Sequence, residues 1–134
     1  AHDPRAMTQR EVELILVRQL ASYLALPIFI VDPDANRLYY NEPAEILLGL
    51  RFEETGEMPV EEWGTVFVPR DIDGVPLPPR ALPLVRALQH ERPEHGRMVI
   101  DGLDGVPRVL DVTALPLVGQ HGRALGAMAV FWEV

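Results

Sequence analysis

Two periodicities divide the chain. Apolar residues recur at helical spacing through EVELILVRQLASYLA, and from Glu94 onward apolar and polar residues alternate as they do in strands. Thr8 is placed to cap the first helix, with Glu11 three residues on completing a capping box. Its apolar members are Val12, Leu14, Ile15, Leu16, Val17, Leu20, Ala21, Tyr23 and Leu24. At about 100° per residue they cover more than one stripe, too much for a helix resting on a single surface. The pattern therefore predicts a helix with two apolar neighbours, its own domain and something else.

Pro27 ends that helix, and PIFIVD follows as a strand rich in β-branched and aromatic residues. DPDAN is a turn cluster and RLYY a second strand, which together make a hairpin. A short helix, NEPAEILLG, starts at Asn41 or Glu42, tolerates Pro43 in its first turn and stops at Gly49. Residues 50–78 read as irregular, with short helical turns at most around Val60–Phe67. Another helix begins near Pro79 and runs through RALPLVRALQHER, with Leu84, Val85 and Leu88 as its stripe. HGRMVID, VPRVLDVTALPLV and RALGAMAVFWEV then form three strands joined at GLDG and GQHG, an antiparallel meander. Within VLDVT, Leu110, Val112 and Ala114 are expected to face the helices, and Val109, Asp111 and Thr113 to face away. On the last strand Met128, Val130 and Trp132 are the expected inward set.

The chain's 134 residues suit one domain, and 48% hydrophobic residues are enough for a core. With 13 Pro and 10 Gly it favours many short elements. The absence of cysteine excludes disulfides, thiolate chemistry and cysteinyl adducts, and fits a reducing cytoplasm. A net charge of −8 without a Lys/Arg cluster argues against nucleic acid. No apolar run approaches the roughly 20 residues a membrane helix needs, so no membrane insertion is expected.

The order of elements resembles that of a PAS domain of bacterial type: two strands, small helices, a longer helix, then three antiparallel strands. PIFIVDPDANRLYYNEPAEILLG resembles the family's opening hairpin and Asn-initiated helix. DGVPRVLDVTALPLVGQHGRALGAMAVFWEV resembles its closing hairpin. The resemblance covers residues 27–134 and outweighs GAF-like and profilin-like α+β alternatives. It implies an α+β PAS fold: a five-stranded antiparallel sheet with helices on one face, preceded by an N-terminal amphipathic helix. Residues 1–26 are then a tail and helix, and residues 27–134 the domain. It also implies a cavity between sheet and helices, which the family uses for heme, flavin, small metabolites or nothing, and an output through dimer geometry or a flanking helix. Any effector is expected outside these residues.

For this chain the expectation is a non-catalytic cytoplasmic signalling module. Homodimer contacts are expected from Val12, Leu16, Leu20 and Tyr23 of the first helix, with Ile28 and Ile30 of the first strand. The candidate pocket residues are Phe29, Val31, Trp63, Phe67, Leu84, Leu88, Ile100, Leu110, Val112, Met128 and Val130. Such a pocket is either filled by its own side chains or suited to a hydrophobic ligand such as a fatty acid. Flavin photochemistry is not expected: the resemblance places Ile100, Leu110 and Met128 where flavin-binding members hold amide side chains, and the reactive cysteine is missing. A heme sensor with His90 as ligand is an alternative, with His95 a weaker candidate and His2 and His121 in a tail and a turn. A pure protein–protein interaction domain with a filled cavity is another.

Enzyme chemistry finds no constellation. Glu53, Glu54, Glu57, Glu61, Glu62, Asp71 and Asp73 lie in a solvated irregular stretch, where nothing would split the pKa values of a carboxylate pair. DIDG lacks the further ligands of a calcium loop. Ser22 is the lone serine and has no histidine nearby, and no phosphate-binding glycine loop occurs.

Overall fold

The structure, a computed structural model, describes residues 9–36, 39–49, 59, 62–63, 67–102 and 104–134. Helix α1 (Gln9–Tyr23) leads into strand β1 (Ile28–Val31) and strand β2 (Tyr39–Tyr40). Helix α2 (Glu42–Leu48) follows, and a 3-10 turn at Pro79–Ala81 introduces helix α3 (Pro83–His90). Strands β3 (Glu94–Asp101), β4 (Pro107–Val118) and β5 (Ala124–Glu133) complete the chain. The expected capping box at Thr8 lies outside the described residues, as does most of the irregular middle.

The strands form one antiparallel sheet in the order β2-β1-β5-β4-β3. The last strand thus sits in the centre, with Phe29 opposite Ala129 on one side and Ala114 opposite Ala129 on the other. One face carries Phe29 and Val31, Met98 and Ile100, Leu110, Val112 and Ala114, and Ala127, Ala129 and Phe131. Ala44, Leu47 and Leu48 of α2 and Leu84, Val85 and Ala87 of α3 close over it. The inward alternation expected for Leu110, Val112 and Ala114 is present, at 0%, 3% and 0% exposure.

The opposite face is not left to solvent around β1. Ile28 and Ile30 pack with Val17 and Ala21 of α1 and with Tyr39, Leu117, Met128 and Val130. Both faces of β1 are therefore covered, which is why its four residues are all apolar. The Arg18 guanidinium lies over the Tyr39 ring, 4.4 Å from its centroid, and Glu13 reaches Arg123 at 3.7 Å.

Two expectations are corrected here. Met128 and Val130 belong to the α1 face and Trp132 is 45% exposed, so the inward set on β5 is Ala127, Ala129 and Phe131. The register decides this: Val130 pairs with Ile28 and Thr113, both on the α1 side. Ile28 and Ile30, expected at an intersubunit contact, are 1% and 2% exposed beneath the chain's own α1. An amphipathic helix seals them off.

Turn chemistry accounts for several of the acidic residues. Asp32 accepts from the backbone N–H groups of Asp34 and Asn36, and Asp71 from those of Asp73 and Val75. The DIDG acids thus include a turn former, Asp71, whose carboxylate is engaged by its own loop. Gly49 ends α2 at φ 77°, a left-handed cap.

Candidate functional site

Between the inner sheet face and the helices lies a cavity of about 50 Å³. Of the candidate pocket residues, Phe29, Trp63, Phe67, Leu84, Ile100, Leu110 and Val112 line it. Val31 is buried in the adjoining core and Leu88 packs at its margin. Met128 and Val130 are on the other side of the sheet and take no part. Sequence reading missed Leu47, Leu48, Pro69, Leu82, Pro83, Met98, Ala129 and Phe131. Leu47 and Leu48 were signalled by the apolar end of α2, whereas Ala129 and Phe131 needed the correct parity of β5.

The walls are held by specific contacts. Phe29 meets Phe131 edge to face at 4.6 Å and Tyr40 at 5.5 Å between ring centroids. The Trp63 indole N–H donates to the Ala35 carbonyl at 2.9 Å. With that donor satisfied by the backbone, Trp63 turns only hydrocarbon to the cavity.

Size and chemistry together select what fits. An apolar cavity of roughly 150 Å³ holds benzene. This one is about 50 Å³, and among the described residues its lining side chains are all apolar apart from the satisfied indole. A fatty acid does not fit the space as it stands. Neither heme nor flavin fits that space as it stands, since each is far larger than benzene, and the polar edge of a flavin would find no partner on the described walls. Ile100 and Leu110 line the cavity, but the β5 residues that do so are Ala129 and Phe131, not Met128.

His90, the ligand of the heme alternative, is not placed for the task. Its ring is 46% exposed and its Nδ1 lies 2.8 Å from Glu94 Oε1. His95 faces the outer sheet surface with Nδ1 3.1 Å from Thr113 Oγ1, and His121 is exposed in the β4–β5 connection. His2 lies outside the described residues. Among the described residues no group of His, Asp and Glu is gathered for a metal ion.

Charged pairs cluster on the surface around β3 and β4. Hydrogen bonds from His90 and Arg92 hold the Glu94 carboxyl below the usual range. Arg108, aided by the Val106 N–H, does the same for Asp104, and Arg97 for Asp111. Because these values are lower in the folded state, their stabilisation is whole above the unfolded values of about pH 4 and is lost as pH falls through the folded ones. The thermal midpoint is accordingly expected to begin falling at about pH 4. Replacing Asp104 and Asp111 together by Asn should flatten that fall in a series of melts. An unaltered acid limb would show that the pairs carry no such linkage.

A sheet that grips helices over an apolar cavity on one face and an accessory helix on its back defines a PAS-type α+β domain. A family model described as PAS fold matches residues 23–134, and the chain belongs to that family. No curated protein matches the chain. Similar solved structures include a PAS domain from Colwellia psychrerythraea, at 16% identity and TM-score 0.62, covering 91% of this chain and 97% of that one. The PAS domain of an HTR-like protein from Haloarcula marismortui is 15% identical with TM-score 0.61, covering 92% and 93%. The PAS domain of Bordetella pertussis BvgS is 15% identical with TM-score 0.62, covering 91% and 85%. At such identities the likeness concerns the fold. Among the described residues no helix is long and apolar enough to cross a membrane.

Proposed function

We propose that this PAS domain is a non-catalytic sensory module that works as a homodimer through α1, in a cytoplasmic setting suited to a cysteine-free chain. Residues 27–134 are the sensory domain and residues 1–26 its tail and output helix. One observation carries the reading. Val12, Leu16, Leu20 and Tyr23 are 39%, 58%, 62% and 76% exposed, all on the side of α1 turned away from the sheet. Spacings of four, four and three residues put them in one stripe, and a second copy of the same stripe is its natural complement. A PAS domain from a two-component sensor histidine kinase is among the similar structures, which supports a signalling role with the effector carried by other residues or another protein.

Deleting α1 would be a poor test, because it would strip Ile28, Ile30 and Met128 of their cover. Leu16→Glu with Leu20→Glu leaves the inner face of α1 intact. Light scattering is expected to show wild-type dimer and variant monomer, with melting temperatures within a few degrees. A variant of dimeric mass would overturn the role of the stripe.

A second reading follows from the cavity: reception of a small apolar molecule. Its described walls offer dispersion and no hydrogen bonds, and its small volume favours an apolar occupant smaller than benzene. Native mass spectrometry of protein from its own host decides this. A stoichiometric adduct supports reception, and a bare chain mass supports a filled module signalling through its surface.

A further inference from the structure

Asn41 is 2% exposed and buried between the two helix layers. Its Oδ1 accepts from Ala44 N at 3.2 Å, capping α2, and from Ile28 N at 3.0 Å, anchoring the start of β1. Its Nδ2 donates to Ala21 O at 3.0 Å, in the last turn of α1, and to Leu26 O at 2.9 Å, in the connection that follows. Two backbone N–H groups on one side and two carbonyls on the other determine the amide's orientation. The backbone of Asn41 adds bonds to Ile28 O at 3.2 Å and from Glu45 N at 3.0 Å. One side chain thus ties together α1, β1 and α2.

The elements it joins have different tasks. Leu47 and Leu48 of α2 are cavity wall, while α1 carries the exposed stripe on the far side of the sheet. We infer that Asn41 is a positioning residue that couples the cavity wall to α1, so that a displacement of α2 is felt at the helix on the opposite face. The physical basis is directional. The amide is rigid, is shielded from water and uses both of its ends, so α2 cannot shift without straining the bonds to Ala21 and Leu26. That α1 is the output rests on the proposed function; the coupling itself does not require a dimer.

The test is a double-mutant cycle read by amide hydrogen exchange in Gln19–Tyr23, carried out on the Leu16→Glu/Leu20→Glu chain so that dimerisation does not contribute. Asn41→Asp retains an acceptor for Ala44 and Ile28 and loses the donations to Ala21 in α1 and to Leu26 in the connection after it. Asn41→Ser, a good helix cap, serves if the buried carboxylate prevents folding. Either variant is expected to speed exchange in this last turn about tenfold, with the β4–β5 core unchanged. Leu47→Ala, which perturbs the cavity wall, should speed it severalfold when Asn41 is present and add nothing when it is replaced. Equal effects of Leu47→Ala in both backgrounds, no effect in either, or an α1 indifferent to Asn41 would each overturn the coupling. A wild-type chain found monomeric by light scattering would instead sink the dimer reading and leave the cycle to decide this one.

Discussion

Replacing Gly126 by alanine is expected to destabilise the domain by about 3 kcal/mol or more, a large share of the stability of a chain this size. Gly126 sits near the start of β5 at φ 138°, a conformation that side-chain-bearing residues rarely adopt. A Cβ there would drive into the Val31 carbonyl oxygen and approach Asp32 Cα at 3.2 Å. The obstacle is backbone, so no rotamer change relieves it. Nor can β5 move aside, because it pairs with β1 through Ala127 and with β4 through Gly126 itself. Backbone strain of roughly 1–3 kcal/mol joins the loss of ladder hydrogen bonds worth about 1 kcal/mol each. Urea unfolding with an unchanged slope and a much lower midpoint is the expected measurement. A loss below about 1 kcal/mol would mean the strand adapts, contrary to the packing described.

Leu110→Ala should cost a similar amount, about 3–4 kcal/mol, for a different reason. Leu110 is 0% exposed and lies between the sheet and the cavity. Truncation forfeits its burial and enlarges a void that already exists, so the surroundings have little incentive to collapse. Leu16→Ala, by contrast, removes a side chain that is 58% exposed and should cost under about 0.5 kcal/mol in the monomer. The enlarged cavity of Leu110→Ala is also expected to take up benzene, which would restore part of the lost stability as its concentration rises. Melts with and without benzene read both effects. A wild-type-like midpoint, or a benzene effect equal in both proteins, would show that the cavity is not where Leu110 points.

Some of this architecture was legible because local physics spoke with one voice. Asn41, Pro43 and Gly49 bracket α2 by capping preference, ring geometry and left-handed backbone, and each acts within a few residues of itself. On β4, Asp111 and Thr113 alternate with Leu110 and Val112, so one face had to be inward. GAMAVFWE gave no such contrast: Ala127, Ala129 and Phe131 compete with Met128, Val130 and Trp132, and both parities are apolar. With α1 covering part of the outer face, hydrophobicity alone could not distinguish the two sides. The same ambiguity made Ile28 and Ile30 look available to another subunit.

What the amino-acid order determined by itself was therefore the succession of elements, their caps and turns, the apolar excess of α1 and the absence of cysteine. What only the tertiary structure decided was which way β5 faces, the small size of the cavity, the outward turn of His90 and the convergence of four backbone segments on Asn41. Periodicity and capping are properties of neighbours in sequence. Register, void volume and a shared hydrogen-bonding partner depend on segments far apart in the chain, and they exist only once those segments have met.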